Sequence, residues 1–574
     1  MWKVQQYNLF LYTSLFFKQT MVVSGGMLSY LGTFFTQFFY HPWMGVVLLC
    51  LWWLLLMWLT KRTFRIPDRW NVVALIPVAI LLTANMGLGY WIYCMKLHGY
   101  FFVSTIGTTA AVALMWLFRL LPQNVWVRCA CVAICVLIGY PLMGVYALAA
   151  SLLMGIWTWR LSGRKTQNAV VSVVALLATV AIPLFYYRYV FSHTNLEDIY
   201  LTALPVFTIQ ETYSAYFVPY YLLAACFLAF TVIKEWKAPK KPMLYWALQG
   251  ALLTALVVGI WHFWYKDDNF HHELRMQRCL EQTDWEGVVE EGRKQTSEPT
   301  RSIVMLRNLA LSRLGRQCDE MYNFPKGSKR SNTPIPVYMY NTAGHQINYQ
   351  YGLLNECHRL CMEEGVEYGW SVETLQYMAR CALLGGEKKA ARKFLSLLRQ
   401  TLFYRSWAEH MEEMVANPGL TLIDKETGPI THMLHYGDIR SEGNGYVEKN
   451  LMTMLSQLDA DDLYFQEQAV LAAMWTRNPA NFWPRFEYYV NLNPNSTVPR
   501  IFQEAAYLFA SLENLPFLNQ LPVDKSVKDG LQEFVTIMKR SQGALTSQTK
   551  DYLYQKYGRT YFFEYFFLKD ITYY

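Results

Sequence analysis

One stretch limits the folds open to this chain more than any other. Residues 243–264, MLYWALQGALLTALVVGIWHFW, fill 22 positions without one Asp, Glu, Lys or Arg. At ~1.5 Å per residue, a helix of that length crosses the ~30 Å hydrocarbon core of a bilayer. Lys237, Lys240 and Lys241 precede it, and Lys266, Asp267 and Asp268 follow. The stretch also separates two compositions. Of 51 Lys and Arg and 43 Asp and Glu in the chain, residues 1–264 hold 17 and 5, a net +12, which leaves −4 to residues 265–574. The overall +8 is therefore a membrane-topology signal. The acidic second half has no basic stripe for nucleic acid to follow.

Seven further apolar runs lie upstream, at residues 43–59, 71–92, 101–120, 125–140, 142–159, 170–187 and 216–233, so the pattern predicts about eight spans. Residues 125–159 would measure ~52 Å as one helix, too long for a single crossing; GYPLMG at 139–144 supplies the turn between two. Residues 1–40 are rich in aromatics and amides, contain no Asp or Glu, and predict interfacial or re-entrant helices. They lack the basic region, apolar core and small-residue cleavage site of a signal peptide. Lys and Arg near span ends fall thirteen to two on one side, with only Lys96 and Arg188 opposite. That bias makes the crowded side cytoplasmic and puts residues 1–40 and the whole second half outside.

Six cysteines lie in or beside the apolar runs, where a thiol behaves as a small hydrophobe. The most chemical stretch of the first half is the connection after residue 187, with Arg188, His193, Glu197, Asp198 and Glu211. A carboxylate there would suit a general base or a polar head-group contact. The same residues also suit a solvated surface loop.

From residue 265 onward, apolar residues recur at three-and-four spacing between small turn residues, which predicts paired helices. Ala379, Gly386, Ala391, Leu395 and Leu398 stand where a tetratricopeptide-type pair places its small and large packing residues. The segment around Asn308 to Gly315 matches the first helix of another unit, and Phe482, Phe486 and Pro494 match a second helix with its closing proline. Residues 323–349 read as a long loop, and no strict 34-residue period runs through the half, so the array is degenerate. Cys357 and Cys361 share a helical face without a second pair nearby, and His432 and His435 lack an obvious third ligand, so no metal site is assigned. No glycine loop with a following Lys-Ser/Thr is present to cradle a nucleotide phosphate, and no cofactor is assigned.

The stretches QQYNLFLYTSLFF, SGGMLSYLGTFFTQFFYHPWMG and NLALSRLGR, with the tetratricopeptide-like segments, resemble a family of uncharacterised bacterial multipass membrane proteins. That resemblance implies an inner-membrane location with a periplasmic repeat domain. It also implies a further span before residue 1 in related chains, which would put residues 1–40 in a periplasmic loop. The expected architecture is all-α: residues 1–40, a transmembrane bundle over 41–264, and an extracytoplasmic helical-repeat array over 265–574. Three functions fit it. The first is a membrane-anchored protein that recruits an envelope protein partner; the second is an enzyme acting on a lipid-linked sugar at the outer face; the third is a transporter.

Overall fold

The structure, a computed structural model, describes residues 1–161, 163–191, 194–207, 216–233, 236, 241–327, 332–333, 337–434, 447–494, 496–540 and 547–568. The fold is all-α; among the described residues no strand forms beyond a single bridge between Met95 and Phe207. The chain divides into two compact units. The first joins Met1–Lys266 with Met362–Ala379 and Lys389–Glu413, and the second joins Asp267–Cys361, Arg380–Lys388 and Met414–Tyr574.

The first unit opens with α1 (Trp2–Gln6), α2 (Ser14–Thr20) and α3 (Gly26–Thr36). It continues through α4 (Pro42–Phe64), α5 (Ile76–Met86), α6 (Tyr100–Leu120), α7 (Val125–Met143), α8 (Val145–Leu161), α9 (Lys165–Tyr189), α10 (Val218–Val232) and α11 (Pro242–Phe263). Among the described residues, six helices are long and apolar enough to cross a membrane: α4, Asp68–Met86 (α5 with its leading 3-10 turn), α6, α7, α9 and α11. The other two expected spans, at 142–159 and 216–233, are helices of only 17 and 15 residues. They would measure ~25 and ~22 Å. Composition set the expected ends of those runs, but Pro219 opens α10 late and Gly144 delays α8. The turn expected over residues 139–144 contracts to Gly144 itself, whose φ of +58° and approach to the Thr202 carbonyl leave no room for a Cβ.

Burial ranks these helices. Of the best apolar window of α6, 72% is buried, against 6% for α11, so α6 is the axis of the unit and α11 lies at its edge. An axis helix must satisfy its own polar groups, because no water reaches them. Ser104, Thr105, Thr108 and Thr109 do so by donating to the carbonyl four residues earlier, at 2.7–3.3 Å. The edge helix is pinned instead by Tyr245 Oη and Gln249 Nε2, which both donate to the Arg69 carbonyl, at 2.6 and 3.1 Å.

Near the start of the chain, Lys3, Gln5, Gln6 and Asn8 are buried. The Lys3 ammonium donates to both carboxylate oxygens of Glu373, at 2.8 and 2.7 Å, with side-chain exposures of 0% and 2%. The ring of Tyr7 lies 4.6 Å from it, and those of Trp2 and Tyr93 within 6 Å. Asn8 accepts from Val372 N through its carbonyl, and Gln5 and Gln6 meet the Tyr404 hydroxyl. His98 reaches the carbonyls of Tyr7 and Tyr368 with its two ring nitrogens, at 2.8 and 2.5 Å.

The second unit is built from helices with two main cores. One gathers Met276, Leu280, Val288, Ile303, Leu306, Leu309 and Ile347; the other gathers Phe482, Phe502, Phe509, Phe534 and Phe562. Residues 323–349, expected as a loop, contain helices at Met339–Thr342 and Gly344–Gln350. Polar residues hide this pair from a hydropathy reading. His345, Gln346 and Asn348 are buried, and the Thr342 carbonyl accepts from Gln277 Nε2 at 3.1 Å.

Two stability outcomes follow. Lys3→Met leaves the Glu373 carboxylate buried without its cation and should cost about 3–5 kcal/mol, whereas Lys3→Met with Glu373→Leu should recover most of the loss; thermal melts of the full chain in detergent measure both. In the helix Lys388–Leu398, Ala391, Leu395 and Leu398 are fully buried while Lys389 is exposed. Ala391→Leu should therefore cost about 1–3 kcal/mol by overpacking, and Lys389→Ala less than about 0.5 kcal/mol; equal melts for the two variants would refute this register.

Candidate functional site

The residues singled out around 188–211 do not gather into one buried constellation among the described residues. Arg188 is exposed in the last turn of α9, Glu197 is exposed and Asp198 half-buried in a 3-10 turn, Leu196–Asp198. His193 and Glu211 lie outside the described residues. Cys357 and Cys361 are fully buried on the helix Leu354–Tyr368, and Cys357 is hydrogen-bonded to Cys361 and to buried Cys381. Burial pushes the Cys357 thiol far up, so it stays protonated and unreactive.

The second unit holds two polar assemblies of different kinds. In the first, Arg301 Nε donates to Glu448 at 2.8 Å, Trp475 Nε1 to the same carboxylate at 3.0 Å, and Tyr322 Oη to Glu564 at 2.8 Å, with Lys326 paired to Glu564. The void among them is about 40 Å³, room for water but not for a substrate. These charges are mutually satisfied, and they hold the helices Arg301–Arg313, Val447–Ser456 and Tyr561–Phe567 in register.

The other assembly is an open cleft of about 440 Å³ bordered by Trp285, Arg313, His432, Asp462, Tyr464 and Phe465. Each wall has a local cause. Thr300 caps the helix Arg301–Arg313, which carries Arg313 in its last turn, where a cation suits the helix dipole. Asp462 caps Leu463–Thr476 by accepting from Tyr464 N at 2.8 Å, which sets Tyr464 in the first turn. Ser312 Oγ then donates to Tyr464 Oη at 2.8 Å, and the Arg313 guanidinium lies 5.9 Å from the same ring. Arg313 Nε has no hydrogen-bond partner among the described residues. His432 sits exposed on Gly428–Met433, and the preceding turn leaves Leu422 and Ile423 open, Ile423 at 81% exposure. His435, its expected companion, lies outside the described residues. Sequence reading singled out only His432, because Trp285, Arg313 and Tyr464 come together from three separated helices.

Trp285 is held by the packing of its own helix, Trp285–Lys294, on Asp268–Glu281. Glu291 fastens that pair, accepting from His272 Nδ1 at 2.8 Å, Arg275 at 3.0 Å and Lys294 at 3.0 Å. Burial alone would raise its pKa, but the three donors outweigh it and hold the carboxyl at about 2. A depressed carboxylate pKa stabilises the fold fully above the ordinary glutamate value of ~4.3 and progressively less as pH falls toward 2. Glu291→Gln should therefore lower stability by about 2 kcal/mol at pH 7, with the difference closing between pH ~4.5 and ~2 in denaturant melts of the full chain.

Residues 1–569 match the model of DUF6057, described as a family of unknown function. No curated protein matches the chain, and no solved structure matches it.

Proposed function

We propose that this chain, which belongs to the DUF6057 family of unknown function, is a membrane-anchored protein of the bacterial inner membrane. In this reading it presents its second unit to a protein partner in the periplasm. The observation that carries it is the open cleft with Trp285, Arg313 and Tyr464 on its walls. Trp, Tyr and Arg are the residue types that dominate binding energy at protein interfaces, because they combine large apolar area with directional polar groups. Leu422 and Ile423 expose aliphatic surface in the turn that packs on the helix bearing His432. The ridges of paired helices expected from a tetratricopeptide-like array would supply such a groove. The thirteen-to-two charge bias supports the periplasmic side.

An enzyme acting on a lipid-linked sugar would need a carboxylate set into a cleft at the outer face. Glu197 and Asp198, the described candidates, sit on a surface turn instead.

A photo-crosslinking residue at position 432, introduced in the full chain in cells, should give a discrete protein adduct that Trp285→Ala removes. The same residue at Lys525, exposed elsewhere on the second unit, should give none. Equal adducts at both positions, or adducts indifferent to Trp285→Ala in a protein with an unchanged melt, would refute the cleft. Orientation is checked independently: a reporter active only in the periplasm should be on when fused after Tyr574 and off within residues 160–167.

A further inference from the structure

The first unit contains a second open cavity, of about 430 Å³, between α6, α8, α10 and the connection at residues 201–206. Its size falls within the range of small-molecule sites, ~300–1,000 Å³. Its walls are almost wholly apolar, among them Val112, Met115, Leu153, Leu204 and Phe227. It runs beside the axis helix α6, which contributes Thr108, Ala111, Val112 and Met115 to its lining.

Hydroxyls of Thr108, Tyr146, Tyr220 and Tyr221 interrupt this lining. Tyr146 is 93% buried, its side chain lines the cavity, and its hydroxyl has no hydrogen-bond partner among the described residues. Gly107 makes that placement possible, since a Cβ there would lie 2.5 Å from the Tyr146 ring. A buried phenol is normally paired, because leaving its donor unmade forfeits the hydrogen bond that water would have supplied. Among the described residues, no Lys or Arg lines the cavity. A phosphate would therefore be buried there without a counter-charge, while a neutral carbonyl needs only the phenol donor.

We propose that this groove holds one ester-linked acyl chain of a membrane glycerolipid, with its ester carbonyl accepting from Tyr146 Oη. The chain lies along the apolar wall formed by α6 and α10, and the head group remains at the open side. Tyr221 and Leu228 at the rim, both well exposed, face the surrounding lipid. Ala149 and Ala224 occupy opposite walls as small, exposed residues, so the groove is wide there.

The test uses the full chain purified in detergent from cells fed a diazirine fatty acid that enters phospholipid. When detergent exchange precedes irradiation, adducts should still map to α8 and α10 peptides, whereas lipid removed by the exchange should leave no adduct on the open face of α9 around Leu177, which is exposed. Ala149→Trp and Ala224→Trp, filling the groove from either wall, should each cut the adduct about tenfold or more. Tyr146→Phe should cut lipid retention by about two- to tenfold, the factor one hydrogen bond carries, while leaving the labelled peptides the same. Melts of each variant separate loss of binding from loss of fold; if one tryptophan variant unfolds, the other serves. Adducts that match those on α9, or that persist in a folded tryptophan variant, would overturn the proposal. So would labelling of the groove by a diazirine isoprenoid phosphate in place of the acyl probe.

Discussion

The enclosed ion pair between Lys3 and Glu373 fixes the composition of the first unit. Two charges withdrawn from water are costly, and their attraction repays that only when every donor and acceptor is matched. Here both carboxylate oxygens take hydrogen bonds from the ammonium, and the rings of Trp2, Tyr7 and Tyr93 surround it. Aromatic faces stabilise a cation without adding a competing negative charge. The pair joins residues 370 positions apart. It ties Met362–Ala379 to the start of the chain, as the Tyr404 hydroxyl between Gln5 and Gln6 ties Lys389–Glu413, and both segments belong to the same compact unit as the apolar helices. A boundary drawn at the end of α11 separates compositions, but the compact unit extends past it.

Around that pair, polar groups are met in two ways. The axis helix α6 satisfies its hydroxyls internally, each on the carbonyl one turn back, and so presents an apolar exterior. Gln5, Gln6 and Asn8 find partners across long sequence separations, in Tyr404, Val372 and Thr33. The first kind depends on local sequence alone. The second exists only once distant segments have met, and loop closure over such separations adds an entropic cost that the buried contacts must exceed.

The second unit follows the same logic with different chemistry. Its closed polar cluster at Arg301, Glu448, Lys326 and Glu564 is self-satisfied and has no room for a ligand. Its open cleft instead has aromatic walls, with aliphatic side chains exposed nearby. In the apolar groove of the first unit, the Tyr146 hydroxyl has no hydrogen-bond partner among the described residues.

By itself the sequence determined the all-α class, the apolar helices and the change of composition after residue 264, because length, hydropathy and charge act within a window of about one helix. It also indicated the buried face of Lys388–Leu398, since Ala391, Leu395 and Leu398 repeat at helical spacing and are all enclosed. Only the tertiary structure decided that the helices at 145–161 and 218–232 are short, that residues 339–350 are helical, and that Lys3 meets Glu373. Helix ends depend on caps and turns such as Gly144 against Thr202, which hydropathy does not record. The cleft of Trp285, Arg313 and Tyr464 and the groove at Tyr146 were equally invisible, because each is assembled from helices far apart in the chain. A side chain's unused donor becomes visible only when its surroundings are known.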